Sequence, residues 1–563
     1  MYLRTTRRKN KDGSVTEYYQ LAESIWDSEA KSPRAHIVHN FGRADQLDPE
    51  ELRKLARSIL RVCNHGIDVP LEVGGGDELP RVEIEWAKPY GTVHVAQALW
   101  EELGIGPVLR RVQGRSKRRQ KLAPHEQALF TMTANRLSAP CSKLNCHNKW
   151  VPKDVYLPGS EELTLEQLYF AMDFLEDNIE EVEKEIFFQV ADLMRADVDV
   201  IFWDTTSVYF EVDDEDKDTY HHHDRDYEPL RKRGHNKERR DGDPQVVVGL
   251  ALTRDGLPVR SWVFPGNTVD VTTVKKVKED LRGWRLGRSV FVGDAGMDSE
   301  ENRAELSKGL GKYILAMPMA KLKEVQQEVL TRAGRFTKVN DNLEVKEVVV
   351  GDGERRRRYV LCRNKREARR QARHRQDILE GLRLELEALE RNPDDHPKRA
   401  CQLLASKRYG RYLRKTPTGK LRIDAKAIKR AEKMDGKYVL LTNDDTLHTE
   451  DVATGYKALM IIEACFRRMK TTGLRVRPVY HWTPHRIVSH VKLCVLALLI
   501  ERVAEIRCKD TWRNIRQSLD QLKVVSYRSG KKTIVQRTKL SPETAAILKS
   551  LKIPAPKRIF SVH

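Results

Sequence analysis

The 563-residue chain is predicted to be an α/β protein whose mixed sheet carries acidic side chains on its strands. Three observations predict this. Ile201–Glu211 (IFWDTTSVYFE) is an apolar, β-branched and aromatic run with one carboxylate, Asp204, in its middle. Val198, Val200, Phe202, Val208 and Phe210 give it the period-2 pattern of a buried strand. Arg288–Met297 (RSVFVGDAGM) holds a second short apolar strand that runs into Asp294, among the small residues Gly293, Ala295 and Gly296. Between the two, Gln245–Thr253 and Pro258–Phe264 read as a β-hairpin around Arg254-Asp255-Gly256, and Asp270–Arg282 reads as a helix. Strand, hairpin, helix, strand in that order gives a mixed sheet with Asp204 and Asp294 on different strands.

A carboxylate inside a buried strand is costly unless it is hydrogen-bonded, paired or bound to a cation. Capping a turn or pairing with a core arginine would explain Asp204 by itself. The recurrence of carboxylates at Asp294 and Glu463 favours a metal site built from hard oxygen donors. Glu463 falls in Thr454–Lys470 (TGYKALMIIEACFRRMK), predicted as one helix. Tyr456, Glu463 and Lys470 recur every seven residues, about 20° short of two helical turns, so they share one stripe. Ala458, Ile461, Ile462, Cys465 and Met469 form the opposite, core-facing side. A solvated charged face would account for Glu463 and Lys470 but not for the tyrosine.

The 102 Lys+Arg against 82 Asp+Glu leave a net charge of +20, and 40% hydrophobic residues suffice for real cores. A disordered tail is excluded. That much positive charge points to a polyanion, with nucleic acid ahead of ribosomal or membrane-surface partners. No apolar run spans a bilayer, since Val491–Ile500 is broken by Lys492 and ended by Glu501, and Met1–Lys11 is basic and polar rather than a signal peptide. A cytoplasmic protein with no membrane partner is expected. The eight cysteines form no CxxC pair, which argues against disulfides or a zinc ribbon. Cys141, Cys146 and His147 offer three metal ligands without a fourth at a usual spacing.

In chain order, residues 1–75 are expected to form a small module. It has strands at Tyr2–Arg8 and Val15–Ala22 about an Asp12-Gly13 turn, a third run at Ala35–Phe41 and a helix at Leu47–Asn64. Its basic residues suit DNA contact. Residues 76–195 follow a linker at Gly74–Asp77 and are predicted helical: His94–Gln113, Pro124–Leu137 and a long amphipathic pattern over Leu163–Met194 that opens on the cap Thr164-Leu-Glu-Gln. The basic Arg115–Lys121 between the first two could grip phosphates. Residues 196–319 hold the first part of the core. Asp213–Arg240 within it is acidic and then basic, and its His221–His223 tract reads as a loop in preference to a metal site. Residues 320–440 read as an inserted, strand-containing subdomain with a long charged helix at Lys365–Arg391 and a closing strand at Lys437–Thr442. Residues 441–510 return to the core with the Glu463 helix and a strongly apolar helix at Pro484–Ile506, and 511–563 form a basic tail.

The order Asp204, Asp294, Glu463, with Tyr456 and Lys470 flanking the glutamate, resembles the DDE transposases of bacterial insertion sequences. More narrowly, it resembles those with a Tyr-x2-Arg-x3-Glu-x6-Lys signature. The spacing fits at Tyr456, Glu463 and Lys470, while Leu459 stands at the arginine position and Arg467, one turn past Glu463, is the candidate substitute. Asp204-Thr205-Thr206, Gly234–Gln245 (GHNKERRDGDPQ), Pro265-Gly266-Asn267-Thr268 and Tyr480–His490 (YHWTPHRIVSH) extend the resemblance over about residues 200–500.

The resemblance implies an RNase H-like core with an insertion before the glutamate, in which Asp204, Asp294 and Glu463 hold two Mg²⁺ or Mn²⁺ ions. It further implies cleavage at the element's terminal inverted repeats, attack of the freed 3′-hydroxyl on target DNA, a homodimer in the synaptic complex and work at the nucleoid. Tyr456 and Lys470 would hold phosphates near the cleaved end, and Lys237, Arg239 and Arg240 are candidate DNA contacts by charge. A metal-dependent nuclease of the same fold would need the same carboxylates without end pairing. An inactive DNA-binding derivative should have lost one of the three, and all are present.

Overall fold

The computed structural model describes residues 2–10, 14–27, 32–48, 52, 54–55, 82–115, 123–195, 198–238, 240–284, 286, 289–319, 322–391, 396–530 and 532–563. The chain divides into two compact units, Met1–Leu79 and Pro80–His563. In the first, β1 (Tyr2–Lys9), β2 (Val15–Asp27) and β3 (Ser32–Arg43) form an antiparallel meander with Tyr2 opposite Ala22 and Lys9 opposite Val15. The strands run longer than their apolar runs, and β1 and β3 are exposed along nearly their whole length. The Asp12-Gly13 turn, most of the Leu47–Asn64 helix and the Gly74–Asp77 linker lie outside the described residues.

The second unit begins with β4 (Val82–Pro89) and a helical layer: α1 (Gly91–Glu102), α2 (Ile105–Arg115), α3 (His125–Ser138), α4 (Leu165–Asp177) and α5 (Ile179–Met194). Gly104, at φ +75°, divides the first expected helix in two. The Thr164 cap forms as a capping box with Gln167. Strand β5 (Val200–Tyr209) then opens the main sheet, a separate small hairpin of β6 (Tyr220–His222) and β7 (Arg225–Tyr227) follows, and β8 (Gln245–Thr253) and β9 (Pro258–Pro265) return to the sheet. After α6 (Asp270–Asp280) come β10 (Val290–Gly293), α7 (Glu300–Ser307) and β11 (Lys312–Met317). The His221–His223 tract, expected as loop, therefore lies in a hairpin and its turn.

Five strands in the order β9-β8-β5-β10-β11 make the heart of the sheet. Strand β8 runs antiparallel to both neighbours, whereas β5, β10 and β11 are parallel. This is the RNase H-like arrangement. Alternation along β5 divides the core: Val200, Phe202 and Val208 pack on the side of the helical layer, and Ile201 and Trp203 pack on the side of α6. Gly249 leaves room for the Trp203 ring, since a Cβ there would sit 2.2 Å from it.

Beyond β11 the sheet continues through β12 (Thr337–Asn340), β13 (Leu343–Val350), β14 (Arg357–Asn364) and β17 (Lys437–Thr442), in the order β12-β13-β14-β17-β11. These four strands thus extend the core's own sheet. Its helices, α8 (Lys365–Arg391), α9 (His396–Ala405) and α10 (Ala425–Met434), pack with the hairpin β15 (Leu413–Lys415) and β16 (Leu421–Ile423) around a separate core of Ile378, Leu382, Leu389 and Leu403.

The chain returns through α11 (Thr449–Lys457), α12 (Met460–Arg467) and the buried helix α13 (Pro484–Cys508). Residues 511–563 are a folded lobe. Helices α14 (Trp512–Leu519) and α15 (Pro542–Leu551) accompany strands β18 (Lys523–Ser529), β19 (Lys532–Arg537) and β20 (Ile559–Val562), which pair in the order β20-β19-β18-β4. No described helix is long and apolar enough to cross a membrane.

Candidate active site

The register of two parallel strands sets the site. Gly293 is the partner of Trp203, so the next residue on each strand, Asp294 and Asp204, emerge side by side at neighbouring strands. Phe202 points into the helical side of the core, and Asp204, two residues on, faces the same way. Asp294 directly follows β10 and is exposed; Asp204 is half-buried and accepts the Thr205 N–H at 2.7 Å. Burial pushes Asp204 up to about 6, with Asp294 and Asp270 adding to the rise and Lys237 opposing it.

Glu463 reaches the cleft from α12, but not along one continuous helix. The segment Thr454–Lys470 breaks at Ala458-Leu459, where Ile461 and Ile462 bond back three residues, and then widens into a π-helical turn, Arg468–Thr472. Leu459, Ile462, Cys465, Phe466 and Met469 are buried at this bend, and their burial fixes it. Leu459, at the signature arginine position, is therefore a core residue, while Arg467 is exposed beyond Glu463. Tyr456 points its hydroxyl to Asp294 Oδ1 at 3.4 Å, and burial, then Asp294, Glu463 and Asp204, raise its pKa. Tyr456 thus registers all three carboxylates.

The wider turn carries Lys470 away from that stripe. Its ammonium donates to Glu238 Oε1 at 2.8 Å, and Arg477 meets the other oxygen at 3.0 Å. Glu238 and Lys237 sit on the loop Gly234–Gln245, held by the buried Asn236 and Gln245, whose side-chain amides bond each other at 2.8 Å. Gln245 also donates to Gly266 O at 2.8 Å, and a Cβ on Gly266 would lie 2.0 Å from Gln245 O. The Gly234–Gln245 segment and the Pro265–Thr268 turn therefore brace each other. Lys237 enters the cleft from this loop. Its ammonium donates to Thr205 O at 2.7 Å and approaches Asp270 Oδ2 at 3.2 Å and Asp204 Oδ1 at 3.5 Å. Arg240 lies over the Tyr209 ring at 4.7 Å and pairs with Asp243. Arg239 lies outside the described residues.

Two parts of the cleft escape sequence reasoning. Asp270, in the first turn of α6, bonds the Thr205 hydroxyl and adds a third aspartate beside Asp204. Its only signal is an acidic residue two positions after the Pro265–Thr268 turn. The second part is a groove of about 560 Å³ lined by Tyr209, Arg231, Lys470, Arg477, Tyr480 and Trp482. Arg231 covers the Trp482 ring at 4.7 Å and Arg477 the Tyr209 ring at 4.1 Å. Tyr480 and Trp482 were visible only as members of the Tyr480–His490 motif.

The donor set fits a divalent cation. Burial raises the Asp204 pKa and Asp294 and Asp270 add to the rise, while among the described residues a lysine ammonium, that of Lys237, approaches Asp204 and Asp270. A hard cation on the same oxygens would relieve that repulsion.

An RNase H-like sheet with acidic groups at adjoining strands defines a class of nucleic-acid-processing proteins. Comparison with family models makes this particular: the transposase DDE domain matches residues 212–500, just over half of the chain, and the IS1634 family transposase N-terminal domain matches residues 3–68. The chain belongs to the DDE transposases of insertion sequences. No curated protein matches it. Among solved structures, a piggyBac transposase synaptic complex with hairpin DNA is similar at a TM-score of 0.34 and 8% identity, over 83% of this chain and 82% of that one.

Proposed function

We propose that this transposase cuts DNA at the ends of its insertion sequence and joins the freed 3′-hydroxyl to target DNA, with Asp204, Asp294 and Glu463 as its catalytic carboxylates. The observation that carries the reading is the parallel register that sets Asp204 beside Asp294 at the cleft Tyr456 shares with Glu463. These oxygens would hold two Mg²⁺ or Mn²⁺ ions, which when bound supply Lewis-acid activation of the attacking hydroxyl and neutralise charge at the leaving oxygen.

The chain's own groups do the rest. The Thr205 N–H orients Asp204, and Asp270 fixes Thr205 through its hydroxyl. Tyr456 holds Asp294 and offers a hydroxyl at the cleft to a phosphate near the cleaved end. Lys237, Arg240, Arg467 and Lys470 supply cationic contacts to the DNA backbone, Lys470 by exchanging Glu238 for phosphate. The Tyr209–Trp482 groove, aromatic faces alternating with guanidinium groups, suits nucleic acid next to the site. Residues 1–75 serve as an end-recognition module, residues 320–440 as an insertion within the core, and two copies pair the ends on the nucleoid in the cytoplasm.

Cleavage of a DNA fragment carrying the element's ends in Mg²⁺, by wild type and Glu463→Gln side by side, tests the reading. Loss of cutting with end binding retained is expected. Equal cutting by both proteins would remove Glu463 from the site.

A further inference from the structure

Away from the carboxylate cleft, three elements distant in sequence converge on one point. Asp173 comes from α4, His222 from β6 and His485 from the first turn of α13, and one ligand-type atom of each lies within 4.8 Å of the other two. Among the described residues this is the one His, Cys and acidic cluster that meets so closely. It is not a hydrogen-bonded cluster of the ordinary kind. Both ring nitrogens of His485 and Nε2 of His222 are buried with no hydrogen-bond partner. His485 Nε2 lies 3.2 Å from Asp173 Oδ1 without forming a hydrogen bond. A buried imidazole nitrogen without a hydrogen-bond partner is costly, so the arrangement calls for a partner that accepts lone pairs.

We propose that Asp173, His222 and His485 form a site for a divalent transition-metal ion of the zinc class, separate from the catalytic carboxylates. Two neutral imidazoles and one carboxylate are the donors such an ion takes, with a water in the fourth place. Donors at about 2.0 Å on a tetrahedral ion stand about 3.3 Å apart, close to the His485–Asp173 separation. Arg486 occupies one lone pair on each oxygen, at 2.9 and 3.0 Å, and leaves another on each for a metal.

One movement is required. The His222 and His485 rings are stacked at 4.1 Å with planes 7° apart, and parallel rings cannot both aim a nitrogen at one ion. His485 is buried on a helix and fixed, whereas His222 is half-exposed on a three-residue strand, so it is the His222 ring that turns. The ion would clip the β6–β7 hairpin, which hangs from the segment after the Asp204 strand, to α4 and α13. His221 and His223, its exposed neighbours, take no part.

Metal-stripped full-length protein, dialysed against Zn²⁺ with Mg²⁺ in large excess to occupy the carboxylate cleft, gives the stoichiometry. Co²⁺ serves as the optical probe through its visible absorption bands. We expect one tight equivalent of Zn²⁺, a Co²⁺ spectrum of the four-coordinate type and a higher melting temperature with Zn²⁺. His222→Ala, on a half-exposed position that leaves the core intact, should lose that equivalent and the Zn²⁺-dependent rise, while His221→Ala keeps both. Absence of a tight equivalent in wild type, the same equivalent in His222→Ala, or equal loss in His221→Ala would each overturn the site. The last result would assign binding to the exposed histidine tract alone.

Discussion

Lys237 and Lys492 both direct an ammonium at carboxylates, and their surroundings are opposite. Lys492, on α13, is buried against Glu183 at 2.9 Å and Ser261 O at 2.6 Å, and Ser261 Oγ donates to the same Glu183 oxygen. Arg260, buried nearby, meets Glu180 and Asp280. There each cation has acidic and carbonyl partners, and the group ties α5 and α13 to the sheet. Lys237 is two-fifths exposed and faces Asp204 and Asp270, with Asp294 on the next strand. The cleft thus keeps more negative charge than its lysine neutralises, and stays open. Identical residue types serve structure where charges balance and water is excluded, and chemistry where an excess of one sign is left accessible.

The sharpest way to break this contrast is to neutralise one charge on each side. Asp204→Asn should reduce end cleavage by about 10³-fold or more, since coordination by the carboxylates is worth several kcal/mol in the transition state. Its melting temperature should not fall, because like-charge crowding is relieved; a large loss of stability would instead make Asp204 a structural residue. Lys492→Met should do the reverse. It strands Glu183 in the core and should cost about 3–5 kcal/mol in urea unfolding, while the surviving folded protein still cuts DNA.

Glu501 sharpens the structural side through pH. Burial, against the pull of Arg468, pushes it up to about 7 from an ordinary 4.5. Below about 4.5 the group is protonated in both states and costs nothing. Between 4.5 and 7 the unfolded chain releases the proton while the folded chain retains it, so stability falls as pH rises through that window and then levels off. Glu501→Gln should gain about 1–3 kcal/mol on wild type between pH 5 and 7.5. Parallel unfolding curves at the two pH values would contradict this. The smallest effect belongs to Arg467→Ala, at the exposed position beyond Glu463. It should weaken DNA binding a few-fold and lower the slope of log affinity against log salt by about 1, measured by titration at several salt concentrations.

Much of the core was legible because its signals are local. Strands Gln245–Thr253 and Lys437–Thr442 and the helix Lys365–Arg391 were expected at the limits they have, since period and breakers mark both ends. Asp204 and Asp294 were legible as polar interruptions of apolar strands. Non-local events were not. Strand β4 pairs with β18 more than 400 residues later, and β17 pairs between β11 and β14, choices that no local pattern encodes. The Glu463 segment kept its helical period, so the bend at Leu459 and the π turn at Arg468–Thr472 were invisible, and with them the departure of Lys470 toward Glu238. Asp270 looked like an ordinary acidic residue at the start of a helix, and only the fold sets it against Thr205 and Lys237.

Asp294→Cys tests with least ambiguity whether the acidic side chains of the cleft bind the catalytic metal directly. A thiolate is a poor ligand for Mg²⁺ and a better one for softer ions. End cleavage by this variant should be abolished in Mg²⁺ and partly restored in Mn²⁺, with DNA binding unchanged. Wild-type rates for Asp294→Cys in Mg²⁺ would contradict the account.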